Sequence, residues 1–203
     1  MESIAEGIPA SLTLKSAQEW VASRVSSKRL RHTSGVVATV RLLAQCAGCS
    51  PFLSELCAWL HDACKDMPAH ELVHLAEDAG LQLLPIERLN GHLLHGPVAA
   101  ITVQRELCIT NMNVLDAISQ HTLGAAPMSA LAQVIYLSDW LEPGRPQRYT
   151  QPIWQALDLH GTNDLDRAVV VACDLLCKHL IETGKLIHPT TVAVRNYYIT
   201  RIN

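Results

Sequence analysis

Apolar residues recur at helical spacing along most of the chain, between residues typical of helix ends. Ser50-Pro51, for example, offers an N-cap followed by a proline at the first helical position. Phe52, Leu56 and Trp59 then fall on one helical face. The same kind of pattern predicts helices over residues 12–26, 29–46, 51–62, 68–80, 96–107, 111–121, 129–140, 164–183 and 189–198.

Strands are not expected, because no alternating apolar and polar run bounded by turn residues stands out. We therefore predict an all-α fold, a single bundle of about eight to ten helices. Residues 1–27 are expected to form an N-terminal helical extension, and residues 28–203 the main domain. Residues 142–152 form the longest irregular stretch and are predicted to be an ordered loop, since they contain Pro143, Gly144, Pro146 and Pro152.

Composition narrows the class of protein. The 203 residues are 49% hydrophobic and 17% charged, enough to bury a core. The net charge of −3 disfavours a nucleic-acid partner, because phosphate binding needs a basic surface. No apolar run approaches the roughly 18 residues of a membrane span, and no signal-peptide pattern follows Met1, so we expect no membrane partner and a cytoplasmic location.

Seven cysteines, an odd number, fit a reduced compartment with thiols packed as small apolar groups. Cys46-Ala-Gly-Cys49 has the spacing of a redox dithiol. A helical pattern leads into it where a redox site needs a strand, which favours packing.

The stretch WLHDACKDMPAHELVH, residues 59–74, holds two competing metal signatures. The segment HELVH, from His70 to His74, fits the H-E-x-x-H pattern of zinc peptidases. Such a site needs a third ligand, but Glu77 and Gly80 stand where the extended pattern has Gly and His. Since His70, Glu71 and His74 also fall on the polar face of an amphipathic helix, we interpret this segment as a surface helix.

The second signature is the pair His61-Asp62, and similar residues lie in apolar surroundings far away in the sequence. An unpartnered polar group in such surroundings costs free energy, so convergence on a metal is one explanation and ordinary buried histidines are an equal alternative. Mixed nitrogen and oxygen ligands suit Fe, Mn, Co, Ni or Zn better than Ca or Mg. The candidate ligands are His32, His61, Asp62, His95, His121 and Asp139. We interpret five other histidines as ordinary: His70, His74, His92, His160 and His179.

The segments RHTSGV, WLHDACKDMP, LLHGPVAA, AISQHTLGAAPMS, YLSDWLEPGR and ETGKLIHPTT resemble one family in unbroken order over about residues 28–199. It is the HD-domain symmetrical bis(5′-nucleosyl)-tetraphosphatase family of metal-dependent phosphohydrolases. The chain departs from the family's usual residues at Arg31, Cys64 and Ser138, none of which is a ligand.

The resemblance implies an HD-domain bundle over residues 28–203 with two divalent metal ions, usually iron, bound by the six residues above. It implies hydrolysis of diadenosine tetraphosphate to two ADP by a water activated by the two metals. The partners would be a dinucleoside polyphosphate and ADP, with a homodimer left open. Alternatives are an HD phosphohydrolase acting on a nucleoside monophosphate, a deoxynucleoside triphosphate or a cyclic dinucleotide, or a non-catalytic nucleotide-binding HD module.

The resemblance also implies roles for individual residues. His61, Asp62 and Lys65 would be catalytic. Lys65 and Arg145 would grip phosphates, although each is otherwise an ordinary helix-end or loop cation. Glu142 would orient Arg145 or a histidine ligand. The expected substrate-binding residues are His32, Lys65, His95, His121, Thr122, Gly124, Glu142, Arg145, Gly184, Lys185, Leu186, Ile187, His188 and Pro189.

Overall fold

The computed structural model describes residues 6–157 and 164–202. In this part of the chain there are eleven α-helices, one 3-10 helix and no strand, which confirms the all-α prediction. The 3-10 helix spans Gly91–Leu94. The α-helices are α1 (Leu14–Ala22), α2 (Ser27–Cys46), α3 (Pro51–Leu60), α4 (Ala69–Asp78), α5 (Pro85–Leu89), α6 (His95–Glu106), α7 (Met112–Gln120), α8 (Ala130–Leu141), α9 (Gln147–Leu157), α10 (Leu165–Glu182) and α11 (Pro189–Ile199).

Side-chain caps set several helix starts where the sequence predicts them. Ser50, Asn111, Ser129 and Asp164 each accept a hydrogen bond from the backbone N–H three residues later. Such bonds satisfy one of the free N–H groups of the first helical turn. The starts of α3, α7, α8 and α10 therefore follow from local chemistry.

The predicted loop over residues 142–152 is wrong in its second half, which belongs to α9. The carbonyl of Pro146 accepts the N–H of Tyr149 at 2.9 Å and closes the first turn. Pro152 has no N–H to donate and removes one bond from the helix. Ile153 is nevertheless fully buried and α9 packs along α10, so tertiary packing outweighs the local cost. The short α5 and the 3-10 helix are two further elements that the pattern did not predict.

Five helices meet in the part of the bundle that forms the site. α2 packs against α3 and α8, and α7 packs against α6 and α8. Leu43, Leu56, Leu60, Ile118 and Ile135 are among the fully buried side chains of the shared core. The packing brings into one region the second turn of α2, the ends of α3, α7 and α8, and the start of α6.

The N-terminal extension joins the same core. Ala17 and Val21 on α1 are fully buried, and α1 packs against α3. The carbonyl of Gly7 accepts the N–H of Thr110 at 2.8 Å. The division at residue 27 stays a prediction, although α2 does begin at that residue.

All seven cysteines are free thiols, with Cys46 exposed and Cys57 buried. Within residues 6–157 and 164–202, none of the helices has both the length and the apolar character that crossing a membrane requires.

Candidate metal centre

The predicted ligands sit at helix ends that the bundle brings together. His61 is the C-cap of α3 and Asp62 follows it directly. His121 is the C-cap of α7, and His95 is the first residue of α6. The remaining two, His32 in the second turn of α2 and Asp139 in the last turn of α8, approach from the other side.

Three of the histidines are oriented by the backbone just before them. His61, His95 and His121 each place Nδ1 within 2.7, 2.5 and 2.7 Å of the carbonyl oxygen three residues earlier. A carbonyl can only accept, so Nδ1 carries the proton and Nε2 keeps its lone pair. All three Nε2 atoms are therefore in the tautomer that binds a metal.

Asp62 lies between two sets of histidines and offers one oxygen to each. Its Oδ2 is 3.6 Å from Nε2 of His32 and 3.6 Å from Nε2 of His61. Its Oδ1 is 3.3 Å from Nε2 of His95 and 3.4 Å from Nε2 of His121. Within each set the three candidate atoms lie within 4.8 Å of one another, so two adjacent groups of side chains, with Asp62 common to both, could each hold a metal ion.

Asp139 and Glu142 hold His32 from its two sides. Nε2 of His32 is 2.9 Å from Oδ1 of Asp139, and Nδ1 is 3.3 Å from Oε1 of Glu142. A carboxylate on Nδ1 leaves Nε2 directed at the centre, which is a common way of orienting a histidine ligand. Of the two partners expected for Glu142, the structure places His32 beside it, while Arg145 instead bonds Asp139 at 2.8 Å.

The electrostatics keep the site in its ligating form at neutral pH. Burial lowers the pKa of His61 to about 4 and that of His95 to about 4, so both rings are neutral. Burial alone would raise the pKa of Asp62, but its interactions with the surrounding imidazoles of His61, His121 and His95 hold it well below its usual range. Two uncharged nitrogen donors thus surround an ionised carboxylate.

His32 differs from His61 and His95 in this respect. Burial lowers the pKa of His32, but its hydrogen bond to Asp139 and the charges of Asp139 and Asp62 outweigh burial and raise it above its ordinary value. The same hydrogen bond, with the charge of Arg145, lowers the pKa of Asp139 although burial raises it.

One observation in particular indicates that these side chains suit divalent metal ions. Nε2 of His61 is fully buried and has no hydrogen-bond partner among the described residues. A buried lone pair without a partner is costly unless a ligand takes it. Four imidazoles and two carboxylates give the mixed nitrogen and oxygen chemistry of Fe, Mn, Co, Ni or Zn sites.

Cations stand close to this centre. Nζ of the half-buried Lys65 is 3.0 Å from Nε2 of His95, and burial lowers the pKa of Lys65. Arg29, which the sequence analysis missed, places Nη1 2.8 Å from Oδ2 of Asp62. Its position three residues before His32 on α2 was the available signal, because residues at that spacing share a helical face.

A cavity of about 380 Å³ opens beside His95 and His121. Five of the predicted substrate-binding residues line it: Lys65, His95, His121, Thr122 and Arg145. Its outer wall was not predicted and consists of Trp140, Tyr149, Leu176 and His179.

A second cavity, of about 490 Å³, adjoins the first at Thr122 and Leu176. It is lined by four of the residues predicted at the end of α10 and after it: Gly184, Lys185, Leu186 and His188.

Three predicted binding residues lie elsewhere. Ile187 and Pro189 are absent from the walls of both cavities. Gly124 has a φ of 75° and packs so close to Val194 that an added Cβ would lie 3.1 Å from its side chain. That backbone conformation and close packing explain the glycine at position 124 without a role in substrate binding.

The HELVH segment has none of these features. His70, Glu71 and His74 are exposed on α4, while Leu72 and Ala76 are buried. Nε2 of His74 lies 3.4 Å from Oδ2 of Asp78, one turn further along the same helix. Among the described residues, the groups that could hold a metal do not include the HELVH residues. His160 lies outside the described residues.

An all-α bundle in which His and Asp side chains converge on one buried cluster is the arrangement of HD-type metal-dependent phosphohydrolases. The family model described as "HD domain" matches residues 29–144. The chain belongs to the HD-domain family, in the group whose curated members are named symmetrical bis(5′-nucleosyl)-tetraphosphatase.

Bacterial relatives that carry this name match nearly the whole chain. The protein from Halalkalibacterium halodurans is 31% identical over 89% of this chain and 94% of the relative. The Bacillus subtilis protein is 28% identical, again over 89% of this chain and 94% of the relative. A crystal structure from Clostridium acetobutylicum, of a predicted HD superfamily hydrolase involved in NAD metabolism, superposes with a TM-score of 0.87 at 28% identity and covers 94% of this chain and 98% of its own.

Proposed function

We propose that this chain hydrolyses diadenosine tetraphosphate symmetrically, to two ADP. The observation that carries the proposal is the Asp62 carboxylate, whose two oxygens face two sets of histidines beside a cavity lined with cations. Two full-length relatives with the matching name support the choice of substrate.

We propose His32, His61, Asp62, His95, His121 and Asp139 as the metal ligands, and iron as the resident metal. Iron rests on the family resemblance, and the same donors would also accept Mn, Co, Ni or Zn. Two bound divalent ions would supply a water that is nucleophilic at neutral pH and would stabilise charge on the reacting phosphate.

The side chains around the centre position the substrate for central cleavage. Lys65 and Arg145 line the 380 Å³ cavity and can neutralise phosphate oxygens next to the metal ligands. Thr122 contributes a hydroxyl, 3.0 Å from Nε2 of His95. The adjoining cavity at Gly184 and Leu186 has an apolar wall suited to a nucleoside. Water then adds to one inner phosphorus, the bond to the central bridging oxygen breaks, and both products are ADP.

Product analysis tests the substrate. The purified, metal-loaded protein is incubated with diadenosine tetraphosphate and the nucleotides are separated by ion-exchange chromatography. ADP alone is expected. AMP with ATP would show asymmetric cleavage. If diadenosine tetraphosphate is not cleaved, but a nucleoside monophosphate, a deoxynucleoside triphosphate or a cyclic dinucleotide is, the protein is a different HD phosphohydrolase. Binding without any cleavage would favour a non-catalytic module.

A matched pair of variants in one short segment tests the ligands. His61→Ala is expected to lose metal and activity together, because His61 contributes a buried Nε2 with no other partner. Glu71→Ala, ten residues further along and exposed, is expected to keep both. Elemental analysis of anaerobically purified protein gives the metal and its amount. Wild-type metal content in His61→Ala would contradict the ligand assignment.

Location and assembly complete the proposal. We expect the protein to act in the cytoplasm, where seven free thiols would stay reduced. The substrate and the ADP product are its proposed partners. Light scattering after size-exclusion chromatography distinguishes a homodimer from a monomer.

A further inference from the structure

A groove of about 740 Å³ lies on the His32 side of the metal centre. It does not include His95 or His121, which line the 380 Å³ cavity on the other side. Arg145 borders both spaces. The bridging carboxylate of Asp62 therefore lies between two separate openings, one for each set of histidines.

The charges in this groove are mostly positive. Lys28, Arg29 and Arg31 come from the first turns of α2, and Arg145 from the loop after α8. Two of them are already engaged by carboxylates of the centre: Arg29 by Asp62, and Arg145 by Asp139.

Lys28 and Arg31 have no such partner. Both are exposed, and no carboxylate of the described residues pairs with either of them. The two acidic groups of the groove have other partners. Asp66 accepts the N–H of Ser26 at 2.7 Å and pairs with Arg29, and Glu142 accepts the N–H of Gly144 at 2.8 Å and lies 3.3 Å from Nδ1 of His32. Two unneutralised cations one helical turn apart thus lie just before His32 on α2, a spacing that places both on one side of the helix.

A symmetrically cleaved substrate needs room on both sides of the reacting bond. Its two halves are identical, and the bond that breaks lies at the midpoint. The cavities at Lys65 and at Gly184 can take one ADP half. The other half must leave the centre in a different direction, and the groove beside His32 is the space that the fold provides.

We propose that Lys28 and Arg31 bind the phosphates of the second ADP half in this groove. The inference rests on the proposed function, because it assumes a substrate with two polyphosphate halves. The groove walls contain no Trp, Tyr or Phe, in contrast to the opposite cavity with Trp140 and Tyr149. The groove therefore binds charge and leaves the second nucleobase unstacked.

The test compares diadenosine tetraphosphate, which has two ADP halves, with the product ADP, which corresponds to one of them. The double variant Lys28→Ala/Arg31→Ala is expected to raise KM for diadenosine tetraphosphate about tenfold, since each lost contact to a charged phosphate weakens binding in ground and transition states alike. The kcat is expected to stay within about twofold. The inhibition constant of ADP is expected to stay at its wild-type value, because one ADP occupies the opposite cavity.

The matched control is Lys15→Ala/Arg105→Ala, which also removes one lysine and one arginine from exposed helix positions outside all three spaces. It should leave KM unchanged. Metal content and thermal unfolding are measured for both double variants. The single variant Lys28→Ala removes only the cation that is further from His32 along the chain, and is therefore a milder substitution.

Three results would overturn the inference while leaving the proposed function intact. KM could stay at the wild-type value in the groove variant, it could rise equally in the control, or the ADP inhibition constant could rise as much as KM. The last result would place Lys28 and Arg31 on the same half as Lys65. If the wild-type protein does not cleave diadenosine tetraphosphate at all, the proposed function itself fails, which the product analysis shows separately.

Discussion

Two short regions of the same sixteen-residue stretch, the turn at His61-Asp62 and the helix of HELVH, use the same residue types for different ends. His61 and Asp62 are almost fully buried and face three other histidines. His70 and His74 are exposed on α4 and face solvent. A metal site is therefore defined by what converges on a residue, and local spacing on one helix is not enough.

The comparison also indicates a structural role for α4. Its buried face packs against the 3-10 helix that leads directly into His95. Gly91, in that 3-10 helix, approaches so closely that a Cβ there would collide with the carbonyl of Ala69. The helix with the peptidase-like pattern thus supports a ligand of the other site from behind.

The largest expected effect comes from removing the shared carboxylate. Asp62→Ala should abolish binding at both metal positions and lower kcat/KM for diadenosine tetraphosphate by at least about a thousandfold, since activated water and charge stabilisation are lost together. Elemental analysis and steady-state kinetics measure the two effects. Retention of one full equivalent of metal would show that the two positions do not depend on a common bridge.

Lys65, which lies between the two regions, should have the next largest effect. Lys65→Ala is expected to lower kcat/KM by about a hundredfold while metal content stays unchanged, because a cation positioned beside the reacting phosphate is lost. Lys65→Arg should restore part of the activity. Loss of metal in Lys65→Ala would instead mean that Lys65 acts by holding His95 in place.

Leu72 tests the inward face of α4. Leu72→Ala removes a fully buried side chain and should lower the free energy of unfolding by about 2–5 kcal/mol. Urea unfolding measures the loss, and kcat of the folded enzyme should stay near the wild-type value. A change below about 0.5 kcal/mol would mean that α4 is not part of the cooperative core.

The smallest effect is expected on the outward face of α4. Glu71→Gln combined with His74→Ala should change neither metal content nor kcat/KM, and should shift unfolding by no more than about 0.5 kcal/mol, as exposed substitutions usually do. The same kinetic and metal assays apply. A loss of one metal equivalent would reveal a second site and remove the contrast between the two regions.

Local chemistry in the sequence was enough to predict nine of the eleven α-helices of the described residues, because cap residues such as Ser50 and Ser129 act on their immediate neighbours. It was not enough for α9, where burial of Ile153 overrides Pro152. Such burial depends on α10, which is distant along the chain.

The candidate site, too, could be predicted from the sequence only in part. Buried histidines could be picked out by their apolar surroundings, but their convergence was expected only from the family resemblance, since it depends on the packing of α2, α3, α6, α7 and α8. Trp140, Tyr149 and His179 were missed because nothing in their local sequence separates a cavity wall from a core. Arg29 could have been found from its spacing to His32.

Three of the imidazoles are held by carbonyls of the turns just before them, at His61, His95 and His121. The orientations of these three rings consequently depend on intact helical turns. Any change that frays α3 or α7 should release metal before it unfolds the bundle. Metal retention during mild heating can thus serve as an early reporter of damage to the fold.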